Sequence, residues 1–288
     1  MADHSQAMRD STDTFAGTRP DPLAPNVIRL RQATQASFRA VVGDMSVILR
    51  VDSGTKALAV RGCETVVVPE GALALLPADV PIDVENRPAK AGLYRATALV
   101  LPGDITAPRG AATRGYCADP RALAAFARAI DLHHQATPPA VRLHALQEVL
   151  LWLDAAGLRL PHAQGATVEA RIRALIGAEI DRDWRAAEVA SHLAMSEATL
   201  RRRLAEVGTT LTNLLADQRM MCALGLLQVT DLSVGRVAAE VGYASASRFA
   251  VRFRARFGLA PHAIRTGDVD RHSTKPDRTG RKAMAEAE

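Results

Sequence analysis

The sequence predicts a two-domain chain: a mainly-β domain followed by amphipathic helices, then an all-α domain with two helix-turn-helix units joined by a long helix. Three observations predict it. Short β-branched runs, broken by Gly and Pro every 8–12 residues, fill roughly 27–101. Apolar residues at three- and four-residue spacing take over from Asp119. The last third then repeats itself. A β-run spacing of this kind belongs to antiparallel strands in a sandwich or barrel, and the later spacing to helices.

Composition sets the frame. The chain has 288 residues, a size that suggests two domains. Its hydrophobic fraction is 48%, its charged fraction 23% and its formal net charge +5. A small positive excess permits nucleic-acid binding without requiring it. Three cysteines without paired spacing argue against a disulfide framework and fit a reducing cytosol. No run of 18 apolar residues is present, so a membrane span is not expected. Residues 1–25 are polar and Pro-rich and read as a disordered leader, and 267–288 as a disordered tail. The expected localisation is cytoplasmic.

The β region includes VVGDMSVILRV (41–51), TVVVPEGALALLP (65–77) and LYRATALVLP (93–102). The first domain, mainly β, is assigned to 26–117. A helical segment for dimerisation or domain packing follows at 118–157. Asp119-Pro120 supplies an N-cap and a Pro at the first helical position. In the second helix, Val141, Leu143, Leu146, Val149, Leu150 and Leu153 form a stripe that suits either a core or a dimer seam. Residues 158–166 read as a linker and 167–266 as the second, helical domain.

Within that domain, residues 186–208 resemble 234–258. Val189-Ala190 aligns with Val237-Ala238, Leu193 with Val241 and Met195 with Tyr243. After one inserted residue, Ser196 aligns with Ser245, Leu200 with Phe249 and Leu204 with Phe253. Each copy reads as helix, tight turn and second helix with a Ser N-cap (Ser196, Ser245). Small residues, Ala194 and Gly242, sit in the turns. With the apolar positions inward, Glu197, Ala198, Arg201 and Arg202 face outward in the first unit. Ala246, Ser247, Arg248, Val251 and Arg252 do so in the second. Arg203 is expected nearer the buried side. Residues 211–230 predict one helix of about 20 residues, roughly 30 Å long, close to the 34 Å turn of B-DNA. From Thr167 to Thr266 there are many Arg and no Lys. Arg forks onto phosphate or guanine with two parallel hydrogen bonds; a codon bias toward Arg is the plainer explanation.

GYASASRFAVRFRARFGLAPHAIR (242–265) resembles the signature of the AraC/XylS family of bacterial transcription regulators, at Gly242, Tyr243, Ser245, Ser247, Phe249, Phe253, Phe257, Gly258, Pro261 and Arg265. SEATLRRRLAEVG and DQRMMCALGLL match the family's first unit and linker helix. The resemblance implies a seven-helix domain reading two major-groove segments. Carried over by position, Ala198, Arg201, Arg202, Ala246, Ser247, Arg248 and Val251 face bases, and Arg252 and Arg254 contact phosphate. Ala198, Ala246 and Val251 offer no hydrogen bonds and at most touch a thymine methyl.

The N-terminal half resembles the family's cupin-like regulatory domain. Metal cupins need clustered His, and no His lies between His4 and His133. No metal or other cofactor is expected, and no enzymatic activity. His133, His134 and His144 fall in the helices, and Cys63 and Cys117 fit neither a redox motif nor the setting of an alkyl-transfer repair enzyme fused to such a module. The expected partners are double-stranded promoter DNA, RNA polymerase, a second copy of the chain and a small-molecule effector, for which an apolar ligand such as a fatty acid is one candidate. The expected function is an effector-responsive activator; the first alternative is a constitutive DNA-binding regulator whose N-terminal half only dimerises, and the second, ranked below it, is such a DNA-binding module fused to an alkyl-transfer repair enzyme.

Overall fold

The computed structural model describes residues 27–60, 64–90, 92–110, 115–162 and 167–266. The expected leader, the expected tail and Cys63 lie outside the described residues.

Eight strands build two antiparallel four-stranded sheets. One contains β1 (Val27–Gln32), β8 (Tyr94–Val100), β3 (Val47–Ser53) and β6 (Leu73–Leu76), in that order. The other contains β2 (Ala36–Val41), β7 (Ile82–Arg87), β4 (Thr55–Val60) and β5 (Val66–Val68). β3 is buried on both faces, which its run of apolar residues encodes. Ile48 points to the helices α1 (Pro120–His133) and α2 (Pro139–Ala155), where it meets Leu99, Phe126, Leu146 and Leu153. Leu49 and Val51 point between the sheets, against Val68, Tyr94, Ala96 and Ala98. Alternation with period two sends neighbours to opposite faces, so one strand serves two cores.

Helix α1 starts where its sequence says it should. The Asp119 carboxylate accepts from the Arg121 N–H at 2.8 Å, and Pro120 fills the first helical position. In α2, Leu146, Val149, Leu150 and Leu153 are buried in the core, whereas Val141 is 47% exposed. Leu158 and Leu160, inside the expected linker, are also buried in this core. Leu160–Pro161 forms β10, parallel to β9 (Arg109–Gly110).

The helical half runs from α3 (Val168–Ala178) through α4 (Ala186–His192), α5 (Glu197–Glu206), α6 (Leu211–Val229), α7 (Val234–Glu240) and α8 (Ala246–Phe257) to α9 (Ala263–Thr266). The helix pair α4–α5 has its own core of Ile172, Ile176, Trp184, Leu200, Leu204 and Leu214. The pair α7–α8 does not. Its Phe249, Phe253 and Phe257 share a core with Leu224 and Leu227 of α6 and with Phe38, Ile82 and Val84 of the second sheet. The Phe38 and Phe257 rings meet edge-on, 5.5 Å apart.

Polar contacts follow the same seam. The Ala33 N–H donates to the Ile264 carbonyl at 2.8 Å, and the Thr34 hydroxyl to the Ala263 carbonyl at 2.6 Å. Deeper, Lys56 Nζ donates to Asn86 Oδ1 at 2.8 Å. Asn86 Nδ2 and Gln228 Nε2 both donate to Gln32 Oε1, at 2.9 and 2.8 Å. This buried chain joins the interior of the β-domain to α6. Burial pulls the Lys56 ammonium down to about 7, because a charge loses its hydration in a low-dielectric interior.

Candidate nucleic-acid interface

The two helix pairs close on the same turn. In the first, the Met195 N–H donates to the Ala190 carbonyl at 3.0 Å and the Ala194 N–H to Ser191 at 3.1 Å. In the second, the Tyr243 N–H donates to Ala238 at 2.8 Å and the Gly242 N–H to Ala239 at 3.0 Å. Both are 6→1 and 5→2 pairings, which need a left-handed residue at the turn. Gly242 has φ +78° and Ala194 φ +54°. An alanine pays for that region with a Cβ–carbonyl clash. Ala194→Gly is therefore expected to stabilise the protein by about 0.5–1 kcal/mol, read as a rise in the urea midpoint at unchanged slope. A lower midpoint would mean that Ala194 is not held at positive φ.

After each turn a serine sets the start of the next helix. Ser196 Oγ accepts from the Thr199 N–H at 3.2 Å, and Ser245 Oγ from the Arg248 N–H at 3.4 Å. The phases of α5 and α8 follow from these caps. Leu200 and Leu204, and Phe249 and Phe253, are buried. Ala198, Arg201 and Arg202 of α5 lie exposed on the other side, as do Ala246, Ser247, Arg248, Arg252 and Arg254 of α8. Val251 is 71% exposed, an unfavourable place for an isopropyl group in water. A concavity of about 580 Å³ gathers Ser247, Arg248, Val251 and Arg252 with the Ser245 cap. A larger groove of about 750 Å³ runs between the pairs, with Arg201 and Arg252 both on its wall, beside Thr210, Arg219 and Tyr243.

The α5 arginines are held by neighbours on their own helix. Arg201 pairs with Glu197 at 2.9 Å and Arg202 with Glu206 at 3.8 Å. Such exposed pairs contribute less than about 1 kcal/mol, so they leave the guanidinium groups available to a stronger anion. Arg203 is also exposed, within 4.0 Å of Glu206, and not turned toward the core as its position suggested. The reason is that the apolar arc of α5 is narrow, only Leu200 and Leu204.

Other arginines of this half hold the fold together in ways that spacing did not reveal. Arg173, buried, pairs with Glu169 at 2.8 Å and lies 3.7 Å from Asp217. Arg256 donates to Asp217 at 2.6 Å and to the Arg39 carbonyl at 2.8 Å, tying α8 to β2. Arg265 donates to the Leu227 carbonyl at 3.0 Å and to the Leu232 carbonyl, closing the end of α6. The signal available in sequence was their place between apolar residues of a helix rather than on its outer arc and, for Arg265, its position in the resembled signature.

Among the described residues no three His, Cys, Asp or Glu side chains group as metal ligands. His133 is half-buried, with its Nδ1 against the Ala129 carbonyl, and burial lowers its pKa. Cys117 and Cys222 are unbridged, and burial pushes the Cys222 thiol up to about 11, which makes it a poor nucleophile. No helix of the described residues is long and apolar enough to cross a membrane.

Residues 189–267 match the family described as "Helix-turn-helix domain". The transcriptional regulator GadX of Escherichia coli O6:H1 is 38% identical over 91 residues, which is 32% of this chain and 33% of GadX. YdeO of Shigella flexneri, also an HTH-type transcriptional regulator, is 32% identical over 98 residues, 34% of this chain and 38% of YdeO. The chain thus spans about a third of the length of the curated relatives it matches. In overall fold it is similar to apo ToxT of Vibrio cholerae, with a TM-score of 0.60 at 14% identity, covering 82% of this chain and 94% of ToxT. Likeness at that identity concerns the fold: mainly-β sheets in the N-terminal half, a helical C-terminal half. Residues 189–267 are thus a helix-turn-helix domain similar to those of HTH-type transcriptional regulators.

Proposed function

We propose that the whole chain is a promoter-binding transcription activator whose two helix-turn-helix units, α4–α5 and α7–α8, enter successive major grooves of duplex DNA. The observation that carries this reading is the groove along α6, on which Arg201 of the first unit and Arg252 of the second both open. With 19 residues, α6 is about 28 Å long, which suits one turn of B-DNA. Arg201, Arg202 and Arg248 supply hydrogen bonds to bases, Val251 and the alanines touch thymine methyls, and Arg252 and Arg254 anchor phosphates.

The N-terminal half acts as a cupin-like sensor and, through α2, as the contact to a second copy; RNA polymerase is the further partner, and the setting is cytoplasmic. The shared core of Phe38, Phe253 and Phe257 supports effector response, because a change in the second sheet repacks directly against α8. A ToxT structure of similar fold contains an unsaturated fatty acid, and an apolar carboxylic acid is the effector class we put first here.

Both parts are testable on a duplex selected from a random pool by the wild-type chain. Arg248→Ala is expected to cost about 1–3 kcal/mol and to relax preference at one position. Arg254→Ala is expected to weaken binding to all sequences and to lower the salt slope by about one. Wild-type binding by both variants would remove the assigned DNA face. Adding oleic acid is expected to shift DNA affinity at least threefold. No heat on titration and no change in affinity would favour a constitutive regulator.

A further inference from the structure

Two reading helices recognise a composite site only if their separation and relative rotation are both fixed. Helix α6 supplies the separation. It does not by itself fix the rotation of what packs on its two halves: Leu214 near its start serves the first core and Leu224 and Leu227 near its end the second.

Arg219, half-buried midway along α6, bridges the two. Its Nε donates to the Ile180 carbonyl at 3.0 Å. One terminal nitrogen donates to the Arg182 and Asp181 carbonyls, at 2.9 and 3.3 Å, and the other to the Gly242 carbonyl at 3.5 Å. The first three acceptors form the α3–α4 connection of the first unit. The fourth is the turn of the second. Five donors in a rigid plane can span such a set, whereas a lysine ammonium presents its three from one point.

Gly242 adds an independent observation. Ala194 holds the equivalent turn position in the first unit at positive φ, so the left-handed conformation alone does not demand glycine there. At Gly242 a Cβ would stand 2.8 Å from the Asp181 carbonyl oxygen and 2.9 Å from Arg219 Cζ. The absent side chain is what lets the second unit's turn seat against the first unit.

We propose that Arg219 and Gly242 form a gauge that fixes the angle between α5 and α8 and so selects the spacing between the two halves of the operator. Arg219 is a positioning residue here; it does not contact bases. This rests on the DNA-binding reading above.

The test uses the full chain and a duplex that it selects from a random pool, with one or two base pairs then inserted or removed between the half-elements. Each base pair moves one element by about 3.4 Å and turns it by about 35°. By fluorescence anisotropy the wild type is expected to lose tenfold or more at each altered spacing. Arg219→Gln is expected to lose five- to thirtyfold on the parent duplex, less than threefold further at altered spacings, and nothing on an isolated half-element. Arg219→Lys, which keeps stem and charge, gives the same flattened profile and carries the comparison if the Gln variant does not fold. Gly242→Ala flattens it with the arginine intact. A wild-type spacing profile in folded variants, whether or not affinity falls uniformly, would overturn the proposal. A wild type that enriches no duplex would instead overturn the DNA-binding reading beneath it.

Discussion

Replacing Lys56 with methionine is expected to stabilise the protein by about 2–4 kcal/mol at pH 6.5, with the gain shrinking toward zero by about pH 10. The Lys56 side chain is 6% exposed and its nitrogen has Asn86 Oδ1 as hydrogen-bond acceptor and the Tyr94 ring 5.4 Å away. Neither is a countercharge. Burial lowers its pKa from 10.5 to about 7. Below pH 7 folded and unfolded chains both carry the proton, and the cost of burying the ammonium is present in full. Between about 7 and 10.5 the unfolded chain binds more protons than the folded one, so stability rises with pH across that window. A tenfold loss of proton affinity on folding corresponds to about 1.4 kcal/mol. The cost of burying the charge is therefore at most about 5 kcal/mol, of which repacking recovers part. Methionine keeps the unbranched stem and fills the same space. Urea unfolding of both proteins at pH 6.5 and 9.5 checks this; an equal gain at both pH values would mean that the lysine is not buried as a charge.

The Phe253→Ala variant is expected to lose about 3–5 kcal/mol, the range for truncating a fully buried ring. Phe253 is 0% exposed, and its ring lies between Phe249, tilted at 5.6 Å, and Phe257, edge-on at 4.7 Å. The loss spreads, because Phe257 in turn meets Phe38 of the β-domain. It stops short of the first unit, whose core contains none of these rings. DNA binding to the second half-element should fail before binding to the first. Urea unfolding and anisotropy on the two half-elements measure both effects; a stability loss below about 1 kcal/mol, or equal loss on both halves, would contradict this division of cores.

These two residues differ in how legible they were. Phe253 announced itself by its four-residue spacing from Phe249 and by alignment with Leu204. Lys56 did not, since a lysine in a strand reads as a solvent-facing residue, and only the closure of one sheet over another makes its position an interior one. Arginines divide the same way. Arg201, Arg202 and Arg248 stand on the arc left over once the apolar residues are turned inward. Arg219, Arg256 and Arg265 lie on the same kinds of helices, yet their guanidinium groups reach carbonyls 38, 217 and 38 residues away.

What the sequence by itself determined is therefore the local grammar. It marked a strand-rich region from about Val27 to Leu101, the Asp119, Ser196 and Ser245 caps, the inward Leu200/Leu204 and Phe249/Phe253 pairs of α5 and α8, and the length of α6. Each depends on residues within one or two turns of each other, where side-chain period and capping chemistry act directly. Only the tertiary structure decided that the second unit shares its core with the β-domain while the first keeps its own. The same holds for the joining of Lys56 to α6 through Asn86, Gln32 and Gln228, and for the seating of Gly242 on Asp181. Those outcomes depend on which surfaces exclude water together, a property of distant segments in contact that no spacing along the chain records.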